Sequence, residues 1–379
     1  MKHQQEDDTQ QLSGEKAKKY NTIKIRVTIA DMAVGIIFIA LLAFSGISQW
    51  LVFRITDAGV IGDYYIFLLF MAILGAANGI IGLPLDIYSS YIIEHRYGLS
   101  NQTIPAWIGE RLKSLGVGLG IGIPIALLFF FLIRTAGNYW WIIFSGAIFL
   151  FAVLMARVAP VLIFPLFYTF KPLEEPELRE KINTLMEKYS IPIKGIFSFN
   201  LSKDTKKANA GFTGIGKSKR VILSDTLLEK FTTSEIMVIF AHELGHYLKR
   251  HIVKNVFISG SIIFLSFYVC SGLYDWTRGI YGFQKPGDIA ALPILLFYLT
   301  ATGLIIMPLT NAVSRKFERE ADSFAITLSE DPESFISGME KLADLNLSDK
   351  NPHPLVEFLF YSHPSIGKRI QYGAAIKEK

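Results

Sequence analysis

The sequence predicts a mainly α-helical, polytopic membrane protein with a polar part of mixed helices and strands on one side of the membrane. Hydrophobic residues make up 51% of the 379 residues, and they are gathered into long blocks rather than spread evenly. Basic residues concentrate in alternate loops between these blocks. Polar regions follow the fourth and the sixth block, and the first of them has the pattern of short strands between helices.

Six apolar runs are candidates for transmembrane helices, because each approaches or exceeds the ~20 residues that a helix needs to cross a bilayer core. They cover residues 30–53, 64–92, 115–133, 140–158, 254–273 and 289–309. The second run is over-long and contains Pro84 and Asp86, so we expect it to tilt, kink or line a cavity.

The distribution of charge predicts the orientation. Residues 1–27 lack the apolar core and cleavage site of a signal peptide, and we expect this polar segment to be disordered or to lie at the membrane surface. If it is cytoplasmic, the lysine-rich stretch 171–250 and the basic C-terminus are cytoplasmic too, and the opposite loops carry few basic residues. The net charge of +5 then reflects topology. A basic stripe with interleaved aromatic residues is missing, so we expect no nucleic-acid partner.

The chain divides into five parts. They are a polar N-terminal segment at 1–27, a four-helix membrane region at 28–160, a polar part at 161–253, two transmembrane helices at 254–310 and a mostly helical C-terminal part at 311–379. In the first polar part we expect a helix over about 175–190, strands in KGIFSFNLS, KKANAGFTG and KRVILSD, and a helix over about 233–250. Thr232 and Glu235 have capping-box spacing at the start of the last helix.

The segment AHELGHYLKRH carries the pattern of a metal site. His242 and His246 are four residues apart, so on a helix both imidazoles face one side and can bind one metal ion. Glu243 is next to the first histidine and can reach a water molecule at the metal as a general base. A surface helix whose histidines align by chance is the alternative. We expect His251, after the motif, near the membrane interface.

A third ligand is needed, because catalytic zinc usually has three protein ligands and an open position. The segment SRKFEREADSFAI offers Glu318, with Asp322 one turn later to bind the far nitrogen of a histidine. Glu320 is the competing carboxylate, but it lies on another face, and a solvated charged face is the alternative for the whole segment. Nitrogen and carboxylate donors predict one zinc ion per chain, and the single cysteine, Cys270, excludes a cysteine cluster.

Together these motifs resemble the type I CAAX prenyl endopeptidases, which are polytopic membrane zinc metalloproteases of the gluzincin group. The similar segments, in order, are EHRYGLSNQT, APVLIFPLFYTFKPL, ANAGFTGIGKSKRVILSDTLL, AHELGHY, SRKFEREAD and YSHPSIGKRI. The resemblance implies a gluzincin-like α+β zinc metalloprotease domain on the cytoplasmic side. Eukaryotic members generally have seven membrane helices, against six here. We expect the missing helix to be N-terminal and the intramembrane chamber to be smaller or more open.

The resemblance assigns roles residue by residue. It implies zinc binding by His242, His246 and Glu318, catalysis by Glu243 and an outer carboxylate at Asp322. It also implies that Asn209, Ala210 and Gly214 belong to an edge strand that holds the substrate backbone. His363 would stabilise the tetrahedral intermediate, and Arg369 would be a nearby structural or substrate-site arginine. The residues alone leave simpler readings open, because Asn209 lies in a turn-rich segment and His363 precedes a proline.

The implied reaction is hydrolysis of a peptide bond near a prenylated C-terminus. The expected partners are a peptide or protein substrate, with or without a lipid anchor, and membrane lipids. Three alternatives stay open: a quality-control protease for membrane proteins, a scaffold with a structural zinc, and a protease for soluble substrates that is merely tethered. Glu243 argues against the scaffold, because a structural site needs no base. The placement of motifs on both sides of the last two spans argues against the tethered protease.

Overall fold

The computed structural model describes the backbone of residues 2–213 and 219–378, and the side chains from Gly14 onward within these ranges. The helices are α1 (Lys2–Phe44), α2 (Ile47–Asp57), α3 (Asp63–Asp86), α4 (Ile93–Arg96), α5 (Ile104–Thr135), α6 (Trp140–Val158), α7 (Phe164–Phe167), α8 (Pro176–Lys188), α9 (Asp225–Lys230), α10 (Thr233–Leu248), α11 (His251–Ile280), α12 (Leu292–Ser329), α13 (Pro332–Leu345), α14 (Pro354–Phe360) and α15 (Ile366–Lys377). The strands are β1 (Phe170–Pro172), β2 (Gly195–Phe199), β3 (Ala210–Thr213) and β4 (Arg220–Ser224).

Six helical segments of the described chain are long and apolar enough to cross a membrane, as the sequence predicted. They are Gly14–Phe44, Asp63–Arg96, Ile104–Thr135, Gly137–Phe167, His251–Ile280 and Ile289–Ser329. The first boundary differs from the prediction. The apolar run 30–53 is split, because α1 ends at Phe44 and Gly46, with a φ of 84°, breaks the helix before α2.

Aromatic side chains fill the space between the membrane helices. Phe67 of α3 stacks on Phe130 of α5, with ring centres 4.2 Å apart. Trp140 of α6 and Tyr274 of α11 are buried in the same cluster. Large rings with fixed neighbours on several helices hold these helices in one arrangement.

The polar N-terminal segment is helical. We expected it to be disordered or to lie at the membrane surface, and the expectation of disorder is wrong. α1 runs unbroken from Lys2 into the first span, so the boundary expected at residue 27 lies inside one helix. Tyr20 is 4% exposed and its hydroxyl donates a hydrogen bond to Glu94 at 2.6 Å. The Asn21 amide donates to the carbonyl of Leu347 near the C-terminus. These contacts dock the segment on the rest of the protein.

The over-long second span is irregular where the sequence predicted it. α3 ends two residues after Pro84, and a π-helical turn over Ile87–Ile92 leads into α4. Arg111 of α5 donates a hydrogen bond to Asp86 at 2.7 Å. The negative charge of Asp86, which is unusual in an apolar run, is therefore paired with Arg111.

The polar part is built on a four-stranded sheet in the order β1-β2-β4-β3. β2 and β4 are parallel, whereas β1 and β3 pair antiparallel at the two edges. Helices α8, α9 and α10 share a buried core with the sheet, and this core includes Ile182, Leu223 and Leu244. The helices α8 and α10 and the strands β2, β3 and β4 follow the prediction. β1 was missed, because it has only three residues and includes Pro172.

α12 connects the membrane part with the polar part. It has 38 residues, about 57 Å at ~1.5 Å per residue, which is far longer than a bilayer core of ~30 Å. Its last turns therefore extend beyond the membrane, where they pack against α10 and α13. The domain boundary expected at residue 310 lies inside this one helix.

The EHRYGLSNQT loop, which follows the second span, is bound to the segment that leads into β3. Lys207 forms an ion pair with Glu94 at 2.9 Å. The amide of Lys206 donates to the carbonyl of Leu99, also at 2.9 Å. Because Lys206 and Lys207 lie just before β3, the membrane part helps to fix the position of this edge strand.

Candidate metal centre

The N-terminus of α10 is fixed by a capping box, as the sequence predicted. The Glu235 amide donates to the Thr232 hydroxyl, and the Thr232 amide donates to the Glu235 carboxylate. Lys341 of α13 also pairs with Glu235, at 2.7 Å. Burial raises the pKa of Glu235, but the hydrogen bonds from Lys341, Ser337 and Thr232 outweigh burial and lower the pKa below its usual value. The helix that carries the histidines therefore starts at a buried, ionised carboxylate.

A close helix crossing brings the histidines of α10 to the carboxylates of α12. His242 is buried and His246 is half-buried, one turn apart on the same face. Gly245, between them, lies against Ala321. A β-carbon on Gly245 would be 3.2 Å from the Cα of Ala321. A side chain at this position would require the neighbouring helix to move by a few tenths of an ångström, so the glycine of the motif favours the close approach of the two helices.

Three ligand atoms converge at the crossing. The Nε2 atoms of His242 and His246 are 3.1 Å apart. Glu318 places Oε2 at 3.2 Å from the first nitrogen and Oε1 at 3.3 Å from the second. One ligand atom from each of the three residues lies within 4.8 Å of the others. The structure thus brings together the residues that the sequence predicted as ligands.

The protonation pattern of these residues fits a bound cation. His242 Nδ1 lies 2.8 Å from Asp322 Oδ1, and an ionised carboxylate can only accept, so Nδ1 carries the hydrogen and Nε2 presents its lone pair. Oε2 of Glu318 is buried, with His242 Nε2 at 3.2 Å and His363 Nδ1 at 2.8 Å. Lone pairs that face each other at such distances repel one another unless a positive charge lies between them. Two imidazole nitrogens and one carboxylate are the ligand set of catalytic zinc sites, so the residues fit a zinc ion.

Asp322 and Arg369 form a buried ion pair behind His242. Arg369 donates from Nε to Oδ2 at 2.9 Å and from Nη2 to Oδ1 at 2.6 Å. Burial lowers the pKa of His242, but the carboxylates of Asp322 and Glu318 favour the charged ring more strongly and raise this pKa to about 9. The two carboxylates therefore favour a positive charge at His242, which a metal ion at Nε2 would supply in place of a proton. The two hydrogen bonds from Arg369 to Asp322 favour a structural role for this arginine. A contact between Arg369 and the substrate stays a prediction.

Glu243 and His363 lie at the open side of the centre. Glu243 is half-buried on α10. Burial lowers the pKa of Arg369, but the negative charges of Asp322, Glu318 and Glu243 raise it overall. His363 places Nδ1 at 2.8 Å from Glu318 Oε2, with a side chain that is 59% exposed. An accessible histidine beside a ligand can reach a bound substrate, whereas the buried His242 cannot.

The loop that carries His363 is held by a buried arginine of α12. Arg315 donates from Nη1 to the carbonyls of Glu357 at 3.0 Å and Tyr361 at 2.6 Å, at the end of α14. On the other side of the histidine, the Ser365 amide donates to the Glu357 carboxylate at 3.3 Å. Arg315 lies one turn before Glu318. The same helix therefore positions a metal ligand and the loop that faces it.

β3 is an edge strand of the sheet, beside the helix that carries the histidines. It pairs with β4 on one side, and its Phe212 ring packs against Tyr247 of α10, with ring centres 5.7 Å apart. Ala210 begins the strand, and the exposed Asn209 precedes it. Gly214 lies outside the described residues. An edge strand in this place offers unpaired main-chain groups to an extended peptide.

The sequence did not predict two residues behind His246. His251 Nδ1 lies 3.0 Å from His246 Nδ1, and His251 Nε2 lies 3.0 Å from Glu320 Oε2. His251 is 2% exposed and begins the fifth candidate span, and its place near the membrane interface stays a prediction. Its ring stacks on Phe317, with centres 4.4 Å apart. Helical spacing could not reveal this contact, because Arg250, with a φ of 56°, interrupts the helix between the two histidines.

Comparison with known proteins agrees with this fold and site. Residues 172–376 match the sequence model of peptidase family M48. Residues 3–169 match a model described as the CAAX prenyl protease N-terminal region with five membrane helices. The described residues before 169 contain four candidate spans. That the absent helix is the N-terminal one, and that the chamber is smaller or more open, stay predictions.

Similar proteins occur in bacteria and eukaryotes. The chain is 34% identical to the uncharacterized metalloprotease YhfN of Bacillus subtilis, over 80% of this chain and 72% of that protein. It is 32% identical to CAAX prenyl protease 1 of Saccharomyces cerevisiae, over 82% and 73% of the two chains. The crystal structure of S. mikatae Ste24p superimposes with a TM-score of 0.83 and 28% identity, covering 95% of this chain and 89% of the other.

Six membrane spans and a histidine–histidine–glutamate centre on crossing helices define a polytopic membrane metalloprotease. The family model covers more than half of the chain, and the relatives are matched over most of their length. The chain belongs to peptidase family M48.

Proposed function

We propose that this metalloprotease is a zinc endopeptidase in which His242, His246 and Glu318 are the metal ligands. The observation that carries the proposal is the convergence of one ligand atom from each residue within 4.8 Å. Both imidazoles direct Nε2 at the buried carboxylate of Glu318, at 3.2 Å and 3.3 Å. A cation between these ligand atoms would stabilise the group.

The residues around the ligands have different roles in hydrolysis. Zinc, when bound, supplies a Lewis acid that polarises the scissile carbonyl and makes water more acidic. Glu243 accepts a proton from the attacking water and delivers it to the leaving amine. His363 donates a hydrogen bond to the oxygen on which negative charge develops. Asp322 holds His242 in the tautomer that leaves Nε2 free.

The substrate backbone lies along β3 in this proposal. Ala210 and Gly214 would form main-chain hydrogen bonds with an extended peptide, which bind it without much preference for sequence. Asn209, whose amide and carbonyl are bonded to Ser224, would contribute its side chain. The position of β3 at the sheet edge next to α10 supports this assignment. We further propose that the N-terminus, the polar part and the C-terminus are cytoplasmic, since the basic residues concentrate in these segments.

The proposed substrates are peptides cleaved near a prenylated C-terminus. The support is the similarity to CAAX prenyl protease 1 of yeast and to related proteins of the same name. An apolar cavity of about 200 Å³ lies between the membrane helices and is lined in part by Leu299. Leu299 and Glu318 are 19 residues apart on α12, roughly 28 Å at ~1.5 Å per residue. This cavity is too far from the ligands to hold a lipid attached beside the scissile bond, so lipid dependence has to be measured.

A second candidate is a quality-control protease that accepts unfolded membrane proteins. The recognition of backbone by an edge strand supports it, because such binding requires no particular side chains. The two candidates share the same centre and differ in whether a lipid anchor improves cleavage.

The test uses the purified full-length protein in detergent. We expect one zinc per chain by metal analysis, and cleavage of a quenched CAAX-type peptide that is abolished by a chelator and restored by zinc. Glu243→Gln should keep the zinc and lose cleavage, whereas Glu333→Gln, an exposed carboxylate paired with Lys377, should behave as wild type.

Comparison of farnesylated and unmodified peptide decides between the candidates. A clear preference for the farnesylated peptide supports the prenyl protease. Equal cleavage, together with degradation of an unfolded membrane protein, supports quality control. Stoichiometric zinc without turnover of any of these substrates would overturn both and favour a zinc-bearing scaffold. A Glu243→Gln protein that cleaves as fast as wild type would overturn the assigned base.

A further inference from the structure

We propose that Glu320, acting through His251, is a second outer carboxylate of the metal centre, which fixes the tautomer and orientation of His246. Asp322 does this for His242 by direct contact. His246 has no carboxylate at its far nitrogen in the described structure. Another imidazole lies there instead, and a carboxylate lies behind that imidazole. The inference rests on the proposed zinc site.

The direction of each hydrogen bond follows from the carboxylate. Glu320 Oε2 lies 3.0 Å from His251 Nε2, and an ionised carboxylate only accepts, so this nitrogen carries the hydrogen. The other nitrogen of a neutral His251, Nδ1, then presents a lone pair. His246 Nδ1 lies 3.0 Å from it and must donate. His246 Nε2 is therefore left as a lone pair directed at Glu318 and His242, which is the form that binds a metal ion.

The two ring nitrogens of His251 are held in place by its packing. The ring is 2% exposed and stacks on Phe317 with an angle of 9° between the planes. This stacking fixes the plane of the imidazole, so that one nitrogen faces His246 and the other faces Glu320. Arg250, in the left-handed conformation, ends the connection from α10 and allows α11 to begin with this histidine beneath His246.

α12 supports both ligand histidines from two of its faces. One face carries Glu318 and Asp322, a ligand and the carboxylate behind His242. The adjoining face carries Phe317 and Glu320, which hold His251. Residues three or four apart lie on the same side of a helix. One rigid element therefore positions the whole set, and a second partner for His246 needs no additional segment.

This arrangement predicts a contribution to metal retention. Outer partners of ligand histidines raise ligand basicity and restrict ring rotation, and their loss typically reduces metal affinity or activity about 10–100-fold. Lys254 lies 3.7 Å from Glu320, so part of the negative charge of the carboxylate is balanced at the surface. The hydrogen bonds from Glu320 through His251 to His246 polarise one another, so the influence of the carboxylate reaches His246 without direct contact.

The experiment measures zinc release from the purified full-length protein to a chromogenic chelator. His251→Phe retains the stacked ring but removes both hydrogen bonds, and zinc should leave about 10–100 times faster. Glu320→Ala should accelerate release as well, and His251→Gln, which can still accept from His246, should restore part of the retention. Asp322→Asn serves as the reference for loss of a direct outer partner, and Glu333→Gln, which removes an exposed carboxylate paired with Lys377, should release zinc like wild type.

A second readout separates positioning from a general loss of stability. The visible absorption spectrum of the cobalt-substituted protein reports ligand geometry, and we expect it to change in His251→Phe but not in Glu333→Gln. Release and spectrum within about twofold of wild type in both His251→Phe and Glu320→Ala would overturn the inference. If His251→Phe fails to fold, Glu320→Ala still decides, because Glu320 is partly exposed. Absence of zinc from the wild-type protein would instead overturn the proposed function.

Discussion

Gly245 of α10 lies so close to Ala321 of α12 that a β-carbon on the glycine would be 3.2 Å from the alanine Cα and 3.1 Å from Phe324 Cδ1. The neighbouring backbone cannot give way as a flexible side chain can. We expect Gly245→Ala to separate the two helices, to destabilise the protein by about 1–3 kcal/mol and to weaken zinc retention. Thermal unfolding and zinc content of the detergent-solubilised protein measure both effects.

The matched control for this prediction is Gly303→Ala, also on α12, where an added β-carbon would meet no atom within 4 Å. We expect no loss of stability from this change, because alanine favours helix at an open position. Equal melting temperatures and zinc contents for Gly245→Ala and wild type would show that the crossing tolerates a wider separation.

Arg315 should affect turnover without affecting the metal. Arg315→Lys keeps the charge but loses the planar group whose Nη1 contacts the carbonyls of Glu357 and Tyr361. The loop with His363 then loses its support. We expect Arg315→Lys to lower kcat, by less than His363→Ala does, while zinc release stays as in wild type. His363→Ala removes a hydrogen-bond donor that is worth about 10²–10³ in kcat. Arg319→Lys, at an exposed position on the same helix, is the control, and a normal kcat in Arg315→Lys would contradict this role.

Glu94 should control the position of β3 from a distance. Its carboxylate pairs with Lys207 at 2.9 Å and accepts from Tyr20 at 2.6 Å, and hydrogen bonds to charged groups contribute about 1.5–3 kcal/mol. We expect Glu94→Gln to loosen the segment before β3 and therefore to raise KM for the peptide more than it lowers kcat. Glu177→Gln, which removes an exposed pair with Lys181, is the control. A lower kcat at unchanged KM would argue against an effect through the strand.

Glu235 gives a prediction for pH. The pKa of its carboxyl is lowered in the folded protein, so its stabilising contribution is present above the unfolded-state pKa of about 4.5 and is lost as pH falls through the folded-state pKa. At neutral pH Glu235→Gln should be less stable than wild type by about 1.5–3 kcal/mol, because it loses the ionised partner of Lys341. The difference should shrink below the unfolded-state pKa.

Melting curves of the two proteins between neutral pH and about pH 4 measure this difference. A gap that stays constant across the whole interval would show that the carboxylate is not the source of the stability. Glu340→Gln on the neighbouring exposed face of α13 is the control for a general change of charge.

Local patterns in the sequence were sufficient for much of the fold. Apolar runs of the right length predicted the six spans, because a bilayer imposes one minimum length on every crossing helix. The capping box at Thr232 predicted where α10 begins, since the hydrogen bonds involved are local. The break of the first run at Gly46 was not predicted, because an apolar sequence continues through it and only the φ of 84° ends the helix.

In the candidate site, too, local patterns predicted some contacts and missed others. The spacing of His242 and His246 predicted their common face, and a carboxylate four residues from Glu318 predicted the partner of His242. Helical spacing says nothing about residues that meet across a turn. The contact of His251 with His246 depends on the left-handed Arg250 between two helices, and the support of the His363 loop depends on Arg315, which is distant in the chain.

The sequence by itself determined that this protein crosses the membrane several times and that one helix carries two histidines on one face, where they can bind a metal ion. Both properties follow from periodicity and length, which act within a single segment. The tertiary structure brought the predicted carboxylates to these histidines, and it alone decided that Glu320 lies behind His251. The crossing of α10 and α12 at Gly245 places Glu318 at the ligands, Asp322 behind one histidine and Glu320 behind His251. Distances between segments depend on packing, and packing is fixed only when the helices meet.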